Sequence, residues 1–250
     1  MRYQYPMSET VHDPVLRSDA GGVVTLTLNR PEKRNALNVD VFLALDGHLA
    51  AIEVDAGVKL VVLRAAGPVF CAGADLGKQQ KPPVRYFQAR TITRLARLPM
   101  PVVAAVHAAC FTGGLELVLA ADIIVAAESA SFADTHGKWA LVPGWGMTQR
   151  LPRRVGQAKA REMMFTGRSY DGRAAERMGL ANICVPDDRF EAELAALIVD
   201  IASLSPHSQR GNKSLLDATA DMDLDAGLAH EVVHSPGVGP DFAARLGGKF

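Results

Sequence analysis

The chain has 250 residues, 48% of them hydrophobic, enough to bury a substantial core in one large domain or in a domain with an appendage. Lys and Arg total 27 and Asp and Glu total 27, so composition gives no reason to expect nucleic acid or a membrane as partner, and any anionic ligand must be held locally. Three cysteines, Cys71, Cys110 and Cys184, lack paired CxxC spacing, which argues against a zinc or dithiol site and for a reducing, cytoplasmic setting. The opening "MRYQYPMSETVH" lacks the apolar core of a signal peptide and reads as a disordered lead-in, and no apolar run approaches the length of a membrane span.

In chain order, "GVVTLTLN" (22 to 29) is β-branched and predicts a strand that enters the loop "RPEKRNALN". "VDVFLALDGHLAAIEVD" carries its apolar residues on one helical face, and "KLVVLRAAG" returns as a buried strand. The same alternation gives a helix over "RYFQARTITRLARL", a strand over "PVVAAVHAA", a helix over "GGLELVLAA" and one or two strands over "DIIVAAESASFA". Strands alternating with helices predict an α/β fold with a largely parallel sheet enclosed by helices. After Pro143 helices dominate: "MTQRLPRRVG", "QAKAREMMFTG" and "DGRAAERMGL", then one last strand, "ANICVP". Two regions follow: a core over 1–188 and a helical region over 189–250, with "EAELAALIVDIASL" its clearest amphipathic stripe.

Three loops at strand ends are candidate sites: "NRPEKRNALN", "GPVFCAGADL" and "HAACFTGGLE". In the third, Gly113 and Gly114 open a helix, so unpaired backbone N–H groups can face an anion or a polarised carbonyl. Glu116 lies three residues after Gly113, on the same helix face. A donor and a carboxylate one turn apart suit an enolate and a proton transfer. No GxxxxGK[ST], GxGxxG or GxSxG occurs. "HEVVHSPG" (230 to 237) has the H-E-x-x-H spacing of zinc hydrolases, but the third histidine of the extended pattern would fall on Pro240, and Pro236 stops the helix after His234. A helical contact segment is expected there, and no metal.

The words "LNRPEKRNALN", "GPVFCAGADL", "PVVAAVHA", "TGGLELVLAADIIVAAESASFA" and "LVPGWGMTQRLPRRVG", in this order and spacing, resemble the crotonase (enoyl-CoA hydratase/isomerase) superfamily from about Val23 to Pro186. The resemblance implies a ββα spiral core, C-terminal helices that assemble a homotrimer or a dimer of trimers, and acyl-CoA thioester substrates, with coenzyme A as part of the substrate and no separate cofactor. It implies that the backbone N–H groups of Ala74 and Gly113 form an oxyanion hole, beside Gly114. It also implies that the loop of Lys33, Arg34, Asn35 and Ala36 walls the coenzyme A site, that Ala72 and Leu76 flank the pantetheine arm with Asp75 also binding substrate, and that Arg30, Lys33 and Arg34, or Lys78 and Lys81, meet phosphate. Trp139 and Trp145 are expected around the acyl pocket or the helix start.

Family hydratases commonly use two glutamates, one matching Glu116 and one about twenty residues on; the second position here is His136. A neutral imidazole, with an ordinary pKa near 6.5, can orient or deprotonate water. Asp134 would share its side only if the segment stays extended, and would then be an orienting partner or a surrogate carboxylate. The resemblance therefore implies hydration of a 2-enoyl-CoA, with Glu116 the main acid and base and His136 secondary. Isomerisation, thioester hydrolysis, dehalogenation or a non-catalytic coenzyme A scaffold are the alternatives.

Overall fold

The computed structural model describes residues 13–77 and 81–247. The twelve-residue lead-in and Lys78 lie outside them.

The chain starts with an antiparallel pair, β1 (Val15–Ala20) and β2 (Val23–Leu28), closed by the turn at Gly21 and Gly22. Sequence reading found β2 but not β1, because "VLRSDA" is half polar and only its first residue, Val15, is buried. Helix α1 (Val39–Glu53) follows; Asn38 caps it by accepting from the Val41 N–H, 3.0 Å away. Next come β3 (Leu60–Ala65), α2 (Phe87–Ala96), β4 (Val102–Val106), the short β5 (Ala109–Phe111) and α3 (Gly113–Val118).

"DIIVAAESASFA" forms two strands, β6 (Ile123–Ala127) and β7 (Ser131–Ala133), which join different sheets. The long α4 (Met147–Thr166) breaks at Gly156, φ 77° and ψ 158°, where "MTQRLPRRVG" meets "QAKAREMMFTG". A two-residue β8 (Tyr170–Asp171), α5 (Gly172–Arg177) and β9 (Ile183–Val185) complete the core, and α6 (Phe190–Ser203), α7 (Pro206–Thr219), α8 (Leu224–His234) and α9 (Phe242–Leu246) form the C-terminal region.

The main sheet has six strands in the order β1-β2-β3-β4-β6-β9, parallel from β2 onward. A second sheet, β5-β7-β8, has three. Alternation along β3 feeds two cores: Val61 and Leu63 pack with α1 residues such as Phe42 and Leu45, while Leu60 and Val62 pack with Phe190, Leu194 and Ile201 of α6. Burial on both faces explains why β3 and β4 read as continuous apolar runs. Helix α7 is tied down by Lys213, whose Nζ donates to Asp122 Oδ2 at 2.7 Å and to the Met100 carbonyl at 3.2 Å. Among the described residues, no helix is long and apolar enough to cross a membrane.

The loops that carry the site are clamped by Asn35, which is buried and sits at φ 52°, a left-handed conformation that asparagine tolerates well. Its Nδ2 donates to the carbonyls of Ala66 (2.8 Å) and Val69 (2.7 Å), and its Oδ1 accepts from the Arg30 N–H at 2.8 Å. The first loop is thereby bolted to the second. Asn35→Ala would leave two half-buried carbonyls and one N–H without this partner, at roughly 1 kcal/mol for each group left unpaired. The expected loss of folding stability, read from urea denaturation, is about 3 kcal/mol; a loss below about 1 kcal/mol would contradict the clamp.

Candidate active site

Ala74 forms an isolated parallel bridge with Leu37: the Leu37 N–H donates to the Gly73 carbonyl (2.8 Å) and the Asp75 N–H to the Leu37 carbonyl (2.9 Å). In a parallel ladder the residue between two such bonds turns its own N–H away from the partner, so the Ala74 N–H points to the other side. Gly113 is there. A Cβ placed on Gly113 would lie 3.3 Å from the Ala74 nitrogen and 2.5 Å from Cζ3 of Trp145. Only glycine fits between these two neighbours. Gly73, at φ 113°, makes the turn into this strand, and a side chain there would also collide with Thr112 Oγ1. Thr112 itself is held at φ 45° and ψ −112°, a sparsely populated conformation that starts α3 abruptly and leaves the first-turn amide of Gly113 without an intrahelical acceptor.

One turn later Glu116 is 1% exposed. Its Oε1 accepts from two backbone N–H groups, Trp145 at 2.7 Å and Met147 at 3.1 Å. These amides open α4, so the carboxylate caps the segment of α4 that precedes the Gly156 break at its electropositive end. Gly146 between them, at φ 120°, aims both amides at one oxygen. Oε2 is left to face His136, whose Nε2 is 3.8 Å away, beyond direct hydrogen-bond reach.

His136 is buried and held from behind: Asp134 Oδ1 lies 2.5 Å from its Nδ1 and also accepts from its backbone N–H at 3.1 Å. The segment is not extended, as the sequence reading required for an Asp134 partnership. It turns instead into a short 3-10 helix, His136–Trp139, and the Asp134 carboxylate reaches forward two residues to close that turn. An ionised Asp134 makes Nδ1 the protonated nitrogen and directs Nε2 toward Glu116.

Electrostatics follow from this line of three groups. Burial pushes the Glu116 pKa up, and it stays above the ordinary value despite the pull of the Met147 and Trp145 amides and of His136. Burial pulls the His136 pKa down, but the Asp134 hydrogen bond and the charges of Asp134 and Glu116 outweigh it and leave it raised.

A cleft of about 290 Å³ runs beside Ala74, bordered by Arg30, Lys33, Leu37, Val39, Asp75 and Trp145 among others. Arg30 donates to the Ala36 carbonyl and pairs with Asp75 at 3.1 Å, so its charge is engaged within the loop pair. The Gly77 N–H, outweighing burial, and then Arg30 hold the Asp75 carboxyl below the ordinary range. Lys33 and Arg34 are exposed, as are Ala72, Leu76 and Lys81; Ala36 is half-buried. Gly114 is buried beneath the loop against Cys71. Of the two tryptophans, Trp139 is 63% exposed on the turn after His136, and Trp145 borders the cleft just before α4. His230 and His234 stack on α8 with ring centroids 3.9 Å apart, and His234 Nδ1 contacts the His230 carbonyl.

Sequence reading did not find the Trp145 and Met147 amides, the Asn35 clamp, or Arg150, whose Nη1 donates to the Trp145 carbonyl at 3.0 Å. Gly144 and Gly146 around Trp145 were the available signal, since paired glycines mark a sharp turn before a helix.

The family profile described as "Enoyl-CoA hydratase/isomerase" matches residues 18–235. Methylglutaconyl-CoA hydratase, mitochondrial, from Rattus norvegicus is 35% identical over 228 residues, 86% of this chain and 72% of that protein. Enoyl-CoA hydratase domain-containing protein 2, mitochondrial, from Bos taurus is 38% identical over 223 residues, 84% of this chain and 75% of that protein. The crystal structure of an enoyl-CoA hydratase from Bacillus anthracis superposes with a TM-score of 0.86 at 35% identity, covering 94% of each chain. One from Mycobacterium smegmatis gives 0.87 at 29% identity, covering 95% of this chain and 97% of the other. With profile, sequence and fold in agreement over the same span, this chain belongs to the crotonase (enoyl-CoA hydratase/isomerase) superfamily.

Proposed function

We propose that this acyl-CoA enzyme adds water across the C2=C3 bond of a 2-enoyl-CoA, with Glu116 and His136 acting as an acid–base pair that holds one proton. The observation that carries the reading is the 3.8 Å approach of His136 Nε2 to Glu116 Oε2, with each group fixed from its far side. A gap too long for a direct bond suits a water or a substrate carbon lying against both groups. Two amides on Oε1 favour a carboxylate at Glu116, and Asp134 favours an imidazolium at His136.

The thioester oxygen lies between the Ala74 and Gly113 N–H groups. Glu116 Oε2 takes a proton from water as the water oxygen bonds to C3. The C2=C3 electron pair moves toward C1, placing negative charge on the thioester oxygen, where one prepositioned amide is worth roughly 3 kcal/mol. His136 Nε2–H then gives its proton to C2, and a 3-hydroxyacyl-CoA results. Glu116 ends protonated and His136 neutral; return of one proton from Glu116 to His136 resets the pair. Lys33 borders the cleft and supplies positive charge for the coenzyme A phosphates. The C-terminal helices would assemble the homotrimer or dimer of trimers, a reading supported by the exposure of Leu224, Leu228, Val232 and Val233 on α8.

Turnover of 2-enoyl- and 3-enoyl-CoAs in heavy-oxygen water, read by mass spectrometry, tests the reaction. One solvent oxygen in a 3-hydroxyacyl product is expected; conversion without oxygen uptake would mean isomerisation, and acyl-CoA binding without any turnover would mean a scaffold. Glu116→Gln keeps an oxygen for the Trp145 and Met147 amides but no base, so kcat is expected to fall by about 10²- to 10⁴-fold with the fold intact; full activity would remove Glu116 from the chemistry.

The pH profile of kcat/KM, which reports the free enzyme, should be a bell whose two limbs belong to the coupled pair. Activity is lost on acidification as Glu116 gains its proton, above the ordinary glutamate range, and lost on raising pH as His136 gives its proton up, above the ordinary histidine range. His136→Gln should abolish the alkaline limb. An alkaline limb that persists in that variant would contradict the proton-donor role.

A further inference from the structure

We infer that Trp145 limits the length of the acyl chain and makes this an enzyme for short-chain acyl-CoA thioesters. The inference rests on the acyl-CoA reading of the cleft. Trp145 borders two spaces: the cleft of about 290 Å³ beside Ala74, and a second of about 480 Å³ between α2 and the start of α4, lined also by Ala89, Thr93 and Arg150. Trp145 lines both, and we take its indole as the partition between them. Its indole lies so close to the oxyanion site that a Cβ on Gly113 would be 2.5 Å from Cζ3 and 3.1 Å from Cε3. An acyl chain whose thioester oxygen sits between the Ala74 and Gly113 amides therefore meets the indole near its reacting carbons.

The wall is fixed at three points. The indole meets the ring of the buried Phe42 edge to face, with centroids 5.0 Å apart and planes at 75°. Below it, the Trp145 N–H is held by Glu116 and the Trp145 carbonyl by Arg150. Swinging the ring aside loses the Phe42 contact, and shifting the backbone releases the catalytic carboxylate. A longer chain therefore meets a ring that moves only by giving up Phe42, on a backbone that moves only by releasing Glu116. Truncating the indole, by contrast, joins the two spaces and opens a path past Thr93 toward the surface of α2.

The test is calorimetric titration of saturated butyryl-, hexanoyl- and octanoyl-CoA into the full chain and its variants, a readout that does not depend on turnover. A methylene that finds an apolar pocket improves affinity about fourfold. In the wild type, affinity is expected to level off or fall beyond butyryl-CoA. In Trp145→Ala it should rise with length, so that octanoyl-CoA gains at least about tenfold relative to butyryl-CoA; Trp145→Phe, which keeps an aromatic contact with Phe42, should fall between and serves if the alanine variant does not fold. A wild-type affinity that climbs with every methylene, or a length profile unchanged in the variants, would overturn the inference. A length preference without hydration would sink the proposed reaction and leave this inference standing; hydration without a length preference would do the reverse.

Discussion

The site depends on one interaction: the Glu116 carboxylate caps the first amides of α4. A buried carboxylate is costly unless its oxygens are paired, and here Oε1 takes two N–H groups at the positive end of a long helix. The bond fixes the direction of Oε2. It also fixes the position of α4 relative to α3, and so the place of Trp145 above Gly113. Glu116, the backbone of Trp145 and the packing of α4 on α3 therefore share one contact.

Against this anchor, His136 is an answer to an electrostatic problem. Two buried carboxylates facing one another repel, and one must take a proton. An imidazolium facing a carboxylate instead attracts it, and the raised pKa of His136 favours that form. Asp134 supplies the compensating charge behind the ring and selects its Nδ1–H form. The triad Asp134, His136 and Glu116 thus carries net charge −1 when the imidazole is protonated, spread over groups that each have a hydrogen-bond partner or an opposite charge. Asp134, 2% exposed, serves both the imidazole and the turn, accepting from the ring nitrogen and from the backbone N–H of His136.

Much of the fold was legible because the chain repeats a strong grammar. Buried parallel strands such as Val102–Val106, and Leu60–Ala65 up to Arg64, are apolar runs, and the helices between them have apolar stripes. β1 escaped because an edge strand with one buried residue carries no such run. In the site, Gly113 and Glu116 could be read from spacing along one short helix. Trp145 and Met147 could not: they contribute backbone N–H groups, which leave no trace in residue identity, and they come from twenty-nine and thirty-one positions downstream. The contact of Asp134 with His136 was foreseen for an extended segment and arises from a turn, because a carboxylate two residues ahead can close a turn as easily as share a strand face.

The shared proton is tested most directly by nitrogen NMR of protein labelled at histidine, following His136 through a pH titration in the wild type and in Glu116→Gln. If the pair is as described, neutral His136 keeps its proton on Nδ1, its midpoint lies above that of free histidine, and the midpoint drops when the Glu116 charge is removed. A neutral ring protonated on Nε2, or a midpoint indifferent to Glu116→Gln, would show that His136 and Glu116 do not share a proton.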